Sequence, residues 1–158
     1  MMQLSDIFLR LGEEPFRDLL RSVSMGKLKT YQLYDRIKVR AHLNKLNSET
    51  LRKVAPRLWS RLEEGDNDLA IDLSQAILVS HLDMIIDVLN FLGIPHEDGF
   101  FAKDLDASQY LTEGWQERAF QHFQGKYKDS ILLFYLNHLN LELSKEPVFF
   151  AGAGAAQP

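Results

Sequence analysis

Residues 66–92, DNDLAIDLSQAILVSHLDMIIDVLNFL, constrain the fold more than any other part of the chain. On a helical wheel, Asp68, Asp72, Gln75, Asp83, Asp87 and Asn90 share one arc of about 100–120°. Nearly everything else there is apolar, and a helix with so narrow a polar face must be covered on most sides. One continuous helix over 66–92, buried at the centre of an all-α fold, is the expected consequence. Gly93, Ile94 and Pro95 supply its stop.

No other stretch alternates apolar and polar residues for long enough to make a strand, so the remainder also reads as helical. Ser5 caps a first helix ending near Gly12. Pro15 opens a second, which Gly26 ends, and a third starts near Thr30. Ser48 begins a run that closes at Gly65. Pro56 inside it predicts either a kink or two short helices with proline opening the second. Residues 94–112 form the longest irregular segment. A helix capped by Thr112 then spans 113–124, Gly125 breaks it, and an apolar helix fills 127–143. The whole is expected to be a single-domain bundle of about six to seven helices over 1–145. A flexible tail follows over 146–158, from which Phe149 and Phe150 could dock on the body.

The 46% hydrophobic content suffices for one sizeable core. No apolar run approaches the length of a membrane span, and no basic leader precedes an apolar block, so neither membrane nor secretory signal is expected. Cysteine is absent, which removes disulfides and thiolate chemistry and fits a cytoplasmic setting.

Charge is distributed in blocks. Residues 27–61 carry ten Lys/Arg against Asp35 and Glu49, a net of +8, whereas 62–113 carry twelve Asp/Glu against Lys103, a net of −11. Lys53, Arg57 and Arg61 recur at every fourth position, and Lys29, Arg36 and Arg40 share one arc of the preceding helix. Like charges so spaced repel by a few tenths of a kcal/mol per pair, which an anionic partner would relieve. That partner is nucleic acid, with Tyr31, Tyr34 or Trp59 for stacking, or the chain's own acidic helix, or another protein. A pI near 5.7 weighs against a dedicated nucleic-acid binder.

Histidines are the other candidates. His81 has Ile77, Leu78, Met84 and Ile85 as helical neighbours, so its ring reads as a neutral, hydrogen-bonded core group. His96, Glu97 and Asp98 follow a helix end, where functional groups collect, and would line a weak pocket above His81. His138 precedes Glu142 by one turn, a spacing that favours the imidazolium. The pairs Asp68/Asp72 and Asp83/Asp87 lie about 22 Å apart along one axis, too far to share an ion, and read as a solvated face.

DLDAS at 104–108 resembles half a calcium loop, but Gln109 and Trp115 stand where glycine and glutamate are required. SMGK at 24–27 and AGAGA in the tail lack the surroundings of an acyl-enzyme box or a dinucleotide fingerprint. No catalytic set, metal or cofactor is therefore expected. The first expectation is a non-catalytic helical interaction or assembly protein, with a homodimer among its forms. The alternatives are nucleic-acid or phosphate-ligand binding through 27–61, and an enzyme or small-molecule binder near the 94–112 loop. The non-catalytic reading leans on the continuity of 66–92. A break there, or an imidazole facing a hollow ringed by carboxylates, would overturn it.

Overall fold

The computed structural model describes residues 2–33, 53–102, 104–145 and 147–152. Among these it is all-α: eight α-helices, one 3-10 turn and no strand. The chain divides into two compact units, Gln3–Ser80 and, with the first two residues, His81–Pro158.

The first unit contains α1 (Leu4–Leu11), α2 (Glu13–Arg21), α3 (Met25–Thr30), α4 (Ala55–Glu63) and α5 (Asn67–Ser80). Gly12, at φ 106°, ends α1 and opens α2, a backbone angle that side chains with a Cβ resist. Helix α1 packs on α2, α4 and α5, and α3 packs on α5. Phe8 meets Phe16 edge-on with ring centres 5.5 Å apart, and Trp59 lies 5.4 Å from Phe16. Trp59 is thus a packing residue beside a fully buried phenylalanine.

Two expected boundaries hold here. Pro56 sits in the first turn of α4, where its missing N–H is harmless, rather than inside a kinked helix. Gly65 takes φ 87°, and the Gly65 and Asp66 amides donate to Leu62 and Arg61, sealing the helix end. Asp66 then caps α5 through the Leu69 amide at 3.0 Å. Gly26 is a correction: it lies within α3, whose cap is Ser24, accepting from the Lys27 amide. The helix expected from Thr30 is replaced at its start by a turn at Tyr31 and Gln32. Its continuation, like Ser48, lies outside the described residues.

The continuous helix expected over 66–92 is also a correction. Helix α5 stops at Ser80, His81 takes φ −127° and ψ 38°, and α6 (Leu82–Leu92) starts anew with His81 as its N-cap residue. The Ser80 hydroxyl donates to the Ala76 carbonyl at 2.7 Å and accepts the Ser24 amide at 2.8 Å. A hydroxyl bonded back to the preceding turn competes with helix propagation, and the tie to Ser24 fixes the chain at that point.

The second unit continues with a 3-10 turn (Ala107–Gln109), α7 (Trp115–Phe123) and α8 (Asp129–Leu143). Helix α7 packs on α6 and on α8. Gly93 and Gly125 both adopt positive φ where the sequence placed a stop. No single helix among the described residues is long and apolar enough to cross a membrane.

Asp66 is both a helix cap and an ion-pair partner, since Arg61 reaches it at 2.6 Å. Asp66→Ala should destabilise the fold by about 1–2 kcal/mol, the usual loss for a cap. Urea unfolding should show Asp66→Asn, which keeps the cap, losing much less. Equal losses would transfer the effect to the ion pair.

Candidate functional site

The basic segment is only partly assembled. Arg36, Arg40 and Tyr34 lie outside the described residues. Arg57 is exposed on α4, Lys53 is exposed just before its start, and Lys29 is exposed on α3. Arg61 is committed to Asp66 through two contacts, Nε at 3.1 Å and a terminal nitrogen at 2.6 Å. At that point the basic block is neutralised by the start of the chain's own acidic segment.

The acidic stripe is a solvated face only in part: Asp68 and Asp83 are exposed, whereas Asp87 is half-buried and Asp72 buried. Asp72 is only 3% exposed. Asp87, on α6, accepts from the Lys126 ammonium at 2.9 Å and from the Tyr127 hydroxyl. These two hydrogen bonds, Lys126 first, hold its carboxyl below the ordinary value. The group ties α6 to the turn between α7 and α8. Beside it Phe91 stacks on His122, 4.5 Å between centres, and meets Phe123 edge-on. Lys126, Tyr127 and His122 were not among the residues the sequence singled out.

His81 is half-buried in the break rather than inside a rod. Burial still pushes its pKa below 6.5, so the ring is neutral near pH 7.

His96 has both ring nitrogens engaged. Its Nδ1 accepts from the Gly99 amide at 3.0 Å, so Nε2 carries the proton and donates to Asn90 Oδ1 at 2.8 Å. The reason is the turn that follows. Glu97 and Phe100 exchange backbone hydrogen bonds of 2.8 and 2.9 Å around Asp98 and Gly99. Both central residues have positive φ, 53° and 94°, the pattern of a two-residue Asp-Gly turn. Leu82 and Ile85 would stand 3.4 Å from a Cβ at Gly99, so the turn lies close on α6. Glu97 and Asp98 are both exposed.

A cavity of about 640 Å³ does adjoin the 94–112 loop, but none of His81, His96, Glu97 or Asp98 lines it. Its apolar wall is Leu105, Leu111, Trp115 and Leu143, with Asp106, Ser108 and Lys145 among its polar members. The Ser108 hydroxyl and amide both donate to Asp106, at 2.7 and 3.1 Å. That internal turn lowers the Asp106 pKa. Among the described residues, no three His, Asp or Glu side chains converge so as to hold a metal ion.

The most specific polar arrangement is on α8. This helix is buried almost all round, yet carries Asn137 with no exposure and Asn140 with 6%. Asn137 Nδ2 donates to Leu133 O at 2.8 Å and to Phe150 O at 2.9 Å, while Oδ1 accepts the Phe150 amide at 2.7 Å. Asn140 Nδ2 donates to Val148 O at 3.0 Å. Two asparagines one turn apart therefore grip the main chain of 148–150, which runs antiparallel to α8. Phe150 packs edge-on against Phe120 of α7, 5.9 Å between centres. Gly152 is buried at φ 106°, beside Leu133 and Phe120. The segment expected to be free from 146 onward is thus seated over 147–152, with Phe150 docked; residues 153–158 lie outside the described residues. Asparagines at i and i+3 in an otherwise apolar helix were the available signal, because buried amides demand partners.

His138, between them, is also corrected. It meets Glu142 at 3.2 Å, but burial pushes its pKa down to about 4, so the imidazole is neutral rather than the expected cation.

Comparison of the chain with protein-family models, curated proteins and solved structures finds no match.

The buried histidines predict acid sensitivity. Below its ordinary value of 6.5, His138 binds a proton in the unfolded chain before the folded one. Stability should therefore fall as pH drops from about 6.5 to about 4, by up to about 3 kcal/mol at about 1.4 kcal/mol per unit. His81 acts in the same direction. Glu142, raised by burial, acts oppositely, but its side chain is 46% exposed against 9% for His138. Denaturant unfolding across this range should show a flatter profile for His138→Leu than for the unsubstituted chain.

Proposed function

We propose that this chain is a non-catalytic helical interaction protein that engages an extended polypeptide segment through its main chain, on the face where α7 meets α8. The observation that carries the reading is the grip of Asn137 and Asn140 on 148–150. A side-chain amide that donates to one carbonyl and accepts the same residue's N–H reads backbone, not side chain. Phe120 and Leu133 add an apolar seat for one aromatic residue and one glycine. Extended segments commonly dock this way, main-chain bonds giving affinity and side-chain pockets giving selectivity. The chain's own segment is then a ligand held in place by its tether.

The break at His81 removes the continuous helix as a ground for the non-catalytic reading. What supports it now is that His96, Asp87 and His138 each have local partners that account for their geometry. A cytoplasmic setting belongs to the proposal, favoured by the lack of cysteine.

Phe150→Pro removes both the amide that Asn137 accepts and the aromatic ring, so it empties the seat in the full chain. A labelled peptide of residues 147–152 should bind this variant saturably in fluorescence anisotropy. Adding Asn137→Ala should weaken binding at least tenfold, the loss of a buried hydrogen-bonding group. No binding to the Phe150→Pro chain would overturn the reading.

The exposure of Arg57 on α4 and of Lys53 just before it favours a second reading, an anionic partner such as nucleic acid. It predicts binding that falls steeply as salt rises and is lost in Lys53→Gln/Arg57→Gln. No shift of DNA or RNA at low salt would dispose of it.

A further inference from the structure

We propose that the cavity between the 3-10 turn, the start of α7 and the end of α8 binds a small zwitterion with an apolar body, a free apolar amino acid or a dipeptide of such residues. The site lies wholly within the second unit. It is independent of segment binding, since Asp106, Lys145 and Trp115 take no part in holding 148–150.

Three features select the ligand. The volume, about 640 Å³, falls within the range of small-molecule sites. The wall of Leu105, Leu111, Trp115 and Leu143 is apolar, with Trp115 only 7% exposed, so covering an apolar side chain there supplies attraction. The charged members are one of each sign, Asp106 and Lys145, and both are exposed.

Both charges are available to a ligand. The two hydrogen bonds from Ser108 fall on Asp106 Oδ1, which leaves Oδ2 without a partner among the described residues. Those bonds, and more weakly the Lys145 charge, hold the Asp106 carboxyl below its ordinary value, so it is an anion at neutral pH. Lys145 has no ion pair among the described residues. A carboxylic acid alone would meet Asp106 as a like charge, and an amine alone would meet Lys145. A molecule carrying an ammonium and a carboxylate meets each with its opposite, as electrostatic complementarity requires. Asn140 adds an acceptor. It is 6% exposed, lines the cavity and commits Nδ2 to Val148 O, so its Oδ1 stays open to a donor such as an ammonium, and buried amides demand such partners.

The test titrates the full chain with phenylalanine, with phenylpropanoate, which lacks the ammonium, and with phenylethylamine, which lacks the carboxylate. The readouts are the Trp115 indole resonance and the heat of binding. Phenylalanine should bind saturably, and each analogue about three- to fivefold more weakly, the worth of one exposed charge pair. Asp106→Asn keeps the oxygen that Ser108 bonds and removes the charge, so it should erase most of the difference between phenylalanine and phenylpropanoate. Lys145→Gln should do the same for phenylethylamine. Both side chains are exposed, so neither substitution disturbs the core.

Leucyl-phenylalanine is titrated beside phenylalanine. Tighter binding of either one supports the proposal and tells a dipeptide from a free amino acid. No saturable binding of either zwitterion would overturn the proposal. So would phenylalanine binding no more tightly than both analogues, or a selectivity that neither substitution changes.

Discussion

A primary amide sealed inside a helix bundle has two hydrogens and a carbonyl oxygen to satisfy, and leaving a buried polar group unpaired destabilises by about 1–3 kcal/mol. Asn137 meets this demand by donating to Leu133 O and Phe150 O and by accepting the Phe150 amide at Oδ1. The arrangement on α8 follows from that requirement. Nothing within one turn of the helix can supply a free N–H to Oδ1, because helical amides already bond to their own carbonyls. An extended segment can, since its N–H and C=O are unpaired. The sequence of α8 therefore specifies a non-helical partner lying along it, and 148–150 is that partner.

The helices whose ends rest on local chemistry were visible in the sequence. Gly65 before Asp66, Gly93 before Pro95, and Gly125 between two apolar helices all take the positive φ their positions imply. Pro56 opens a helix because only a first turn tolerates it. The break at His81 was not visible. Apolar residues continue at helical spacing on both sides of it, and the contact that fixes the chain there, between Ser24 and Ser80, joins residues 56 apart in sequence. Gly26 misled for a related reason: glycine suggests an ending, but Ser24 two residues earlier is the better cap and opens a helix instead.

The site residues divide in the same way. His96 and its acidic neighbours looked like a functional cluster because His, Glu and Asp adjoin in sequence. Asp-Gly is also a strong tight-turn signal, and the turn takes precedence, its Gly99 amide drawing the imidazole inward. Arg61 was placed with Lys53 and Arg57 by spacing alone, whereas the start of α5 draws it to Asp66. Asn137 and Asn140 were legible in principle. The apolar residues around them dominate the pattern, although buried amides within such a pattern demand partners.

His138, between the two asparagines in sequence, lies against Phe134 and Glu142 on α8. A charged ring at that depth would need a counter-ion as deeply buried, and Glu142 is only partly so. Burial therefore keeps the ring neutral at pH 7, and the acid range in which it takes a proton is the range in which the fold loses stability.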